Sequence, residues 1–159
     1  SQTMLFTIED TFDLVLLGEI IKGDFKKLIQ MFPSVRDKHI FFCSNGGRLV
    51  EASKIHQYLY GKNISITAGE KIDSSAMIIF LAPDVNDRYA KKYTQFTFHN
   101  PIFENGTTAE QQEQRNNFAT LVAHKTNLSI EGVFELMNNE VVLNSDEALS
   151  YGIISKIIE

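Results

Sequence analysis

Residues 39–47 read HIFFCSNGG, a short apolar segment that ends in a pair of glycines. The apolar part is typical of a buried strand, and Gly46 and Gly47 permit a tight turn after it. Apolar side chains then recur at helical spacing, at Leu49, Ala52, Ile55, Tyr58 and Leu59. Gly61 ends this helix, and residues 64–68 form the next strand. Strand, turn, helix and strand make a βαβ crossover, so the sheet is expected to be at least partly parallel.

Short apolar segments alternate with amphipathic segments along the rest of the chain. The patterns predict strands over residues 4–8, 12–17, 93–98 and 153–158, and helices over 23–31, 108–125, 129–138 and 145–151. Residues 101–107 are predicted to form a loop. This alternation favours an α/β fold, and a chain of 159 residues suits a single domain over 1–159.

Composition restricts the classes of function. The net charge of −5 argues against nucleic acid as a partner, because the scattered lysines make no basic surface. Cys43 is the only cysteine, so the chain has no internal disulfide, and a reducing, cytoplasmic location is expected. No apolar run reaches the roughly 20 residues that a membrane span requires, so no membrane association is expected.

Two serines begin the apolar run IDSSAMIIFLA at residues 72–82. Unpaired N–H groups at the start of a helix can stabilise negative charge, so a serine at this point can act as a nucleophile. A polar residue before an apolar run is also an ordinary helix cap. The segment alone leaves both interpretations open.

Three further groups could complete a catalytic site. A backbone N–H at Gly46 or Gly47 could bind a developing oxyanion, although a plain turn has the same pattern. His99 follows a predicted strand and could act as a general base or lie unused at the surface. The segment 138–140, Asn-Asn-Glu, offers a carboxylate that could orient a histidine, or simply ends a helix.

Six segments, in order along the chain, resemble the Clp protease proteolytic-subunit family, serine peptidases of the crotonase-like superfamily. The segment CSNGG is similar to that family's Asn-Ser-Pro-Gly-Gly, and residues 147–153 are similar to its Glu-Ala-x-x-Tyr-Gly-Leu. The other similar segments are residues 74–82, 88–90, 98–101 and 126–129. The resemblance implies a crotonase-like α/β fold of repeated strand-strand-helix units.

The resemblance also assigns roles to residues. Ser74 would be the nucleophile and His99 the general base, since both match the family without gaps. The N–H groups of Gly47 and Ser75 would form the oxyanion hole. Ser75 is the alternative nucleophile and requires a one-residue gap. Neither a metal nor an organic cofactor is implied.

The third catalytic position differs from the family pattern, in which aspartate is usual. Counting back from the Glu-Ala signature places Glu140 there, whereas a shifted alignment places Asn138 or Asn139 there. Glutamate keeps the charge but is one methylene longer, and asparagine brings no charge to stabilise an imidazolium.

The resemblance implies a serine endopeptidase that hydrolyses peptides or unfolded chains through an acyl-enzyme and assembles as a homo-oligomeric ring. We do not expect an ATPase partner, because the chain starts almost at its first strand and lacks the family's longer N-terminal segment. The segment after His99, which would carry the handle between stacked rings, is also short. The alternatives are a catalytically weak ring subunit that acts as a scaffold and a crotonase-type acyl-CoA hydratase or isomerase.

Overall fold

The computed structural model of the protein describes residues 3–9, 13–100 and 105–159. The helices are α1 (Asp24–Met31), α2 (Leu49–Leu59), α3 (Ala76–Phe80), α4 (Thr108–Lys125), α5 (Ile130–Asn138) and α6 (Ser145–Ser150). The strands are β1 (Leu5–Glu9), β2 (Asp13–Leu17), β3 (His39–Ser44), β4 (Ser65–Asp73), β5 (Arg88–Lys91), β6 (Gln95–Thr97), β7 (Val142–Leu143) and β8 (Lys156–Ile158).

The strands form one mixed sheet in the order β1-β2-β3-β4-β5-β8. β1 and β2 are antiparallel, whereas β2, β3, β4, β5 and β8 pair in parallel. The predicted crossover is confirmed, since β3 and β4 are parallel neighbours joined through α2. The first half of β4 pairs with β5 and its second half pairs with β6, which in turn pairs antiparallel with β7.

Burial alternates along the central strands as the pleat of a strand requires. In β3, Ile40, Phe42 and Ser44 are buried, while His39 and Cys43 on the opposite face are partly exposed. The apolar segment that contains α3 is buried from Ala76 to Ala82, so it is the centre of the core.

The structure changes the bounds of several predicted strands and adds two that were not predicted. β6 and β8 are shorter than the predicted 93–98 and 153–158, and β7 was not predicted. β4 extends to Asp73 rather than ending at residue 68, because its polar second half gains a partner in β6. β5 was not predicted, because buried Arg88 interrupts the apolar pattern. α4 has the predicted bounds, and a capping box of Thr107 and Glu110 fixes its start. Residues 101–104 of the predicted loop 101–107 lie outside the described residues, and so does residue 12 of the predicted strand 12–17.

Candidate active site

Ser74 lies between the end of β4 and the start of α3, in a strained backbone conformation. Its φ of 53° is left-handed, which is uncommon for a residue other than glycine. Two backbone hydrogen bonds hold Ser74 in this conformation. The Ser74 N–H donates to the Thr97 carbonyl at 2.9 Å, and the Met77 N–H donates to the Ser74 carbonyl at 2.9 Å. Such strain persists where the surrounding structure over-determines it and is frequent at active sites.

The side chains of the two adjacent serines have different environments. Ser74 is partly exposed, and within the described residues its hydroxyl has no hydrogen-bond partner. Ser75 is buried, with 2% of its surface exposed, and its hydroxyl is bonded to Gly47. Ser74 therefore has the accessible hydroxyl, while the Ser75 hydroxyl is engaged in a structural contact.

The glycine turn after β3 packs directly against Ile20. The Ile20 N–H donates to the Gly46 carbonyl at 2.9 Å, and the Arg48 N–H donates to the Ile20 carbonyl at 3.0 Å. A Cβ atom at Gly47 would lie 2.2 Å from the Ile20 carbonyl oxygen, and the φ of Gly47 is +147°. Only glycine fits at this close approach of two backbones.

The turn also contacts the serine pair, and the contact engages the Gly47 N–H, one of the two donors predicted for the oxyanion hole. The Gly47 N–H donates to Ser75 Oγ at 2.8 Å, and the same hydroxyl donates to the Gly47 carbonyl at 2.9 Å. The Ser75 backbone N–H has no acceptor within the described ranges. The Gly47 N–H can bind an oxyanion only after the Ser75 hydroxyl releases it.

His99 follows β6 on the sheet branch next to Ser74. Asp73 pairs with Thr97, so His99, two residues beyond Thr97, lies on the same side of the strand as Thr97. The ring is partly buried, and its Nδ1 lies 3.0 Å from the Asn100 carbonyl oxygen. A carbonyl only accepts, so Nδ1 is the donor and Nε2 is left as the acceptor that a general base requires.

Asp73 is a carboxylate beside this site that the sequence suggested only as a helix cap. Burial raises the pKa of Asp73, and the side-chain hydrogen bond with Thr97 and the charges of Lys71 and His99 partly offset it. Its Oδ1 is buried without a hydrogen-bond partner in the described structure. The pairing of β4 with β6 brings Asp73 close to Thr97 and His99, and no local sequence signal predicts that pairing.

Glu140 lies where α5 ends, with a left-handed φ of 50° and an exposed side chain. Phe96 pairs with Leu143, and the Phe98 N–H donates to the Val141 carbonyl at 2.9 Å, so this register sets the Glu140 backbone opposite His99. Among the described residues, the Glu140 carboxylate forms neither an ion pair nor a hydrogen bond with His99. Its role as the third catalytic residue stays a prediction.

The two asparagines considered for the same role also make no described contact with His99. Asn139 is exposed, and Asn138 Oδ1 accepts from Arg115 at 2.8 Å and from Asn100 Nδ2 at 3.1 Å. Asn138 therefore reaches the residue after His99 but not the imidazole itself.

A cleft of about 790 Å³ adjoins the glycine turn. Its walls include Ser44 and Asn45 before the turn, Glu70 and Lys71 of β4, and Gln95 of β6. Its lining thus combines residues of β3, β4 and β6 with the turn that follows β3, and it includes neither Ser74 nor His99.

The described ranges carry neither a cluster of metal-binding side chains nor a helix that could span a membrane. No cluster of three or more histidine, cysteine, aspartate or glutamate side chains is placed there to hold a metal ion. None of the helices in those ranges combines the length and apolar character that a membrane crossing demands.

Comparison with known proteins defines the class to which this arrangement belongs. The family model described as Clp protease matches residues 25–159, so the chain belongs to the Clp protease family. The family and the α/β fold predicted from the motifs are confirmed.

Individual relatives are proteolytic subunits at low sequence identity. The chain is 26% identical over 135 residues to the ATP-dependent Clp protease proteolytic subunit 2 of Chlamydia trachomatis serovar D, covering 77% of this chain and 66% of that protein. It is 27% identical over 130 residues to the ATP-dependent Clp protease proteolytic subunit of Paracoccus denitrificans, covering 76% of this chain and 65% of that protein. The chain thus spans slightly less than two thirds of the length of these relatives.

Solved structures extend the similarity to nearly the whole chain. A ClpP1 mutant from Listeria monocytogenes superposes with a TM-score of 0.83 at 25% identity, covering 94% of this chain and 92% of that chain. ClpP1 from Listeria monocytogenes gives a TM-score of 0.84 with the same coverage, and at 24% identity this likeness concerns the fold alone.

Proposed function

We propose that the protein is a serine endopeptidase, with one catalytic domain over residues 1–159, that cleaves peptides or unfolded chains. The observation that carries the proposal is the strained, left-handed backbone of Ser74, which presents an unpartnered hydroxyl beside the glycine turn. Membership of the Clp protease family supports the assignment of that hydroxyl to peptide cleavage.

The reaction proceeds in two acyl-transfer steps. Ser74 Oγ attacks the scissile carbonyl carbon while His99 Nε2 takes the hydroxyl proton. The C–N bond then breaks, and His99 returns the proton to the leaving amine. Water, deprotonated by His99, attacks the resulting ester, and the C–O bond breaks to release the carboxylate product and restore Ser74. These steps need neither a metal nor an organic cofactor.

The oxyanion is stabilised by the N–H groups of Ser75 and Gly47. The first is available, and the second becomes available when the Ser75 hydroxyl turns away from it. Each such donor contributes on the order of 10²-fold to 10³-fold in rate. Glu140 adds negative charge near the imidazolium without holding the ring, and its exposure to water weakens that effect.

Fluorophosphonate labelling tests the nucleophile. The reagent should form a bond to Ser74 in the unmutated protein, and Ser74→Ala should abolish both labelling and peptide hydrolysis without loss of folding. Ser75→Ala is the matched control, because it removes the neighbouring hydroxyl and should leave labelling in place. Labelling that survives Ser74→Ala and is lost in Ser75→Ala would move the nucleophile by one residue.

We further propose that the subunit acts in the cytoplasm as part of a homo-oligomeric ring that hydrolyses short peptides without ATP. The support is the family, whose members named above are proteolytic subunits. Sedimentation at micromolar concentration should show an oligomer. A monomer alone, or hydrolysis only with an added ATPase, would contradict this part of the proposal.

A second candidate function is a catalytically weak ring subunit that binds or scaffolds. It is favoured by the hydrogen bond that occupies the Gly47 N–H and by the absence, within the described residues, of contact between Glu140 and His99. An unmutated, assembled protein that resists the fluorophosphonate would support this alternative. The described site supplies no comparable observation for an acyl-CoA hydratase or isomerase.

A further inference from the structure

The imidazole of His99 is held by the backbone of its own neighbour. The hydrogen bond from Nδ1 to the Asn100 carbonyl at 3.0 Å selects the tautomer in which Nε2 accepts a proton. In a serine peptidase triad, a carboxylate performs this task. The position of the Asn100 carbonyl therefore decides whether His99 can act as a base.

The Asn100 side chain is fixed by groups on two helices. Arg115 of α4 donates from Nε to Asn100 Oδ1 at 3.0 Å. Asn100 Nδ2 in turn donates to Oδ1 of Asn138, at the end of α5, at 3.1 Å. Both functional atoms of the Asn100 amide are thus engaged, which restricts rotation of the residue that carries the accepting carbonyl.

Arg115 connects the two asparagines and is itself anchored. A second guanidinium nitrogen donates to Asn138 Oδ1 at 2.8 Å, and the guanidinium carbon lies 4.3 Å from the centre of the Phe134 ring. A planar, forked donor can satisfy both asparagine oxygens at once while it stacks on an aromatic face. A lysine offers one charged atom and cannot reproduce this arrangement.

We propose that Arg115 is a positioning residue, which acts through Asn100 and Asn138 to hold His99 in the tautomer and orientation needed for proton transfer. The inference rests on the proposed peptidase function. It assigns to a backbone carbonyl and a guanidinium clamp the orienting task that the sequence analysis assigned to Glu140.

The test compares Arg115→Ala and Arg115→Lys with Gln112→Ala in the assembled protein. Gln112 lies on the same helix, and among the described residues its side chain bonds to Asn116 alone, at 3.0 Å, so it is the matched control. Both arginine variants should lower kcat and the rate of fluorophosphonate labelling about 10-fold to 100-fold, with KM little changed, because a misplacement of about 1 Å costs on that order. Asn138→Ala should share this loss, and it replaces the arginine variants if they do not fold.

A spectroscopic measurement distinguishes a positioning role of Arg115 from a general loss of stability. In protein labelled with ¹⁵N-histidine, His99 should be protonated on Nδ1 in the neutral form, and Arg115→Ala should give a mixture of tautomers while Gln112→Ala does not. Unchanged tautomer and unchanged labelling rate in Arg115→Ala would overturn the inference. If the unmutated protein is not labelled at all, the peptidase function fails, and the tautomer measurement still decides the role of Arg115.

Discussion

Arg88 is fully buried, and replacing it should produce a large loss of stability. Its guanidinium donates four hydrogen bonds, to the carbonyls of Pro83, Lys125, Gly152 and Ile153, at 2.7–3.0 Å. None of these acceptors is a carboxylate. Arg88 therefore joins the end of α3, the end of α4 and the segment before β8 through main-chain contacts.

The magnitude follows from two opposing terms. Hydrogen bonds from a charged donor contribute about 1.5–3 kcal/mol each, so four give about 6–12 kcal/mol before the cost of burying the charge. Burial lowers the pKa of Arg88 from its ordinary value to about 10. A depression of that size corresponds to about 3 kcal/mol of unfavourable desolvation. Arg88→Met, which keeps most of the aliphatic volume, should therefore lower the free energy of unfolding by about 3–9 kcal/mol.

Urea denaturation followed by far-ultraviolet circular dichroism measures this difference. Lys92→Met is the matched control, because Lys92 pairs with Glu159 at 3.1 Å and both side chains are largely exposed, at 76% and 85%. Its loss should stay below about 1 kcal/mol. If Arg88→Met does not fold, Arg88→Lys takes its place, with a smaller loss expected because one of the bonds can be kept. A loss in the arginine variant no larger than that of the control would refute the reasoning.

Three further predictions concern the site and its surroundings. Gly47→Ala should lower the free energy of unfolding, measured in urea, by about 3–5 kcal/mol and abolish labelling of Ser74. The reason is that the added Cβ would meet the Ile20 carbonyl oxygen and disrupt the turn. A free energy of unfolding within about 1 kcal/mol of the parent would contradict this prediction. Glu140→Gln should reduce kcat less than about 10-fold, since an exposed charge is screened, whereas a loss near 10⁴-fold would identify Glu140 as the residue that orients the histidine. Burial lowers the pKa of His56 in the folded state below the value near 6.5 that it has in the unfolded chain. The neutral imidazole therefore contributes stability above the unfolded-state pKa, and this contribution should be lost as the pH falls through the unfolded-state pKa and then the folded-state pKa. Unfolding of the parent between about pH 7.5 and about pH 5.5 should consequently be more sensitive to acid than unfolding of His56→Gln, and equal sensitivity would count against this assignment.

Local signals predicted those parts of the fold that local chemistry controls. The bounds of α4 were predicted from a polar-faced helical segment, and the crossover followed from the glycine turn and the helical period. Past Ala68, β4 gains a second partner in β6, more than 20 residues later, and keeps a pairing with β3 at Ile72. Tertiary pairing overrides strand preference in such segments.

The sequence likewise predicted the candidate site only in part. Spacing within the motifs selected Ser74 and His99, but it gave no information on the left-handed backbone of Ser74 or on the bond between Ser75 and Gly47. Arg115 lies 15 residues from Asn100 in a helix whose sequence looks like an ordinary polar surface. Contacts of this kind depend on how elements pack, so only a three-dimensional structure reveals them.

The division of β4 between two partner strands places the proposed nucleophile and base on the same weakly paired branch of the sheet. Residues 66–68 of β4 belong to the central sheet, while residues 71–73 pair with the three-residue β6, which is backed by the two-residue β7, and pair with β3 at Ile72 alone. Short pairings open at a lower free energy than a whole domain unfolds, so the amides of β6 should exchange with deuterium well before those of β3. On heating, the branch that carries Ser74 and His99 should open while the central sheet is still intact, so inactivation should precede melting.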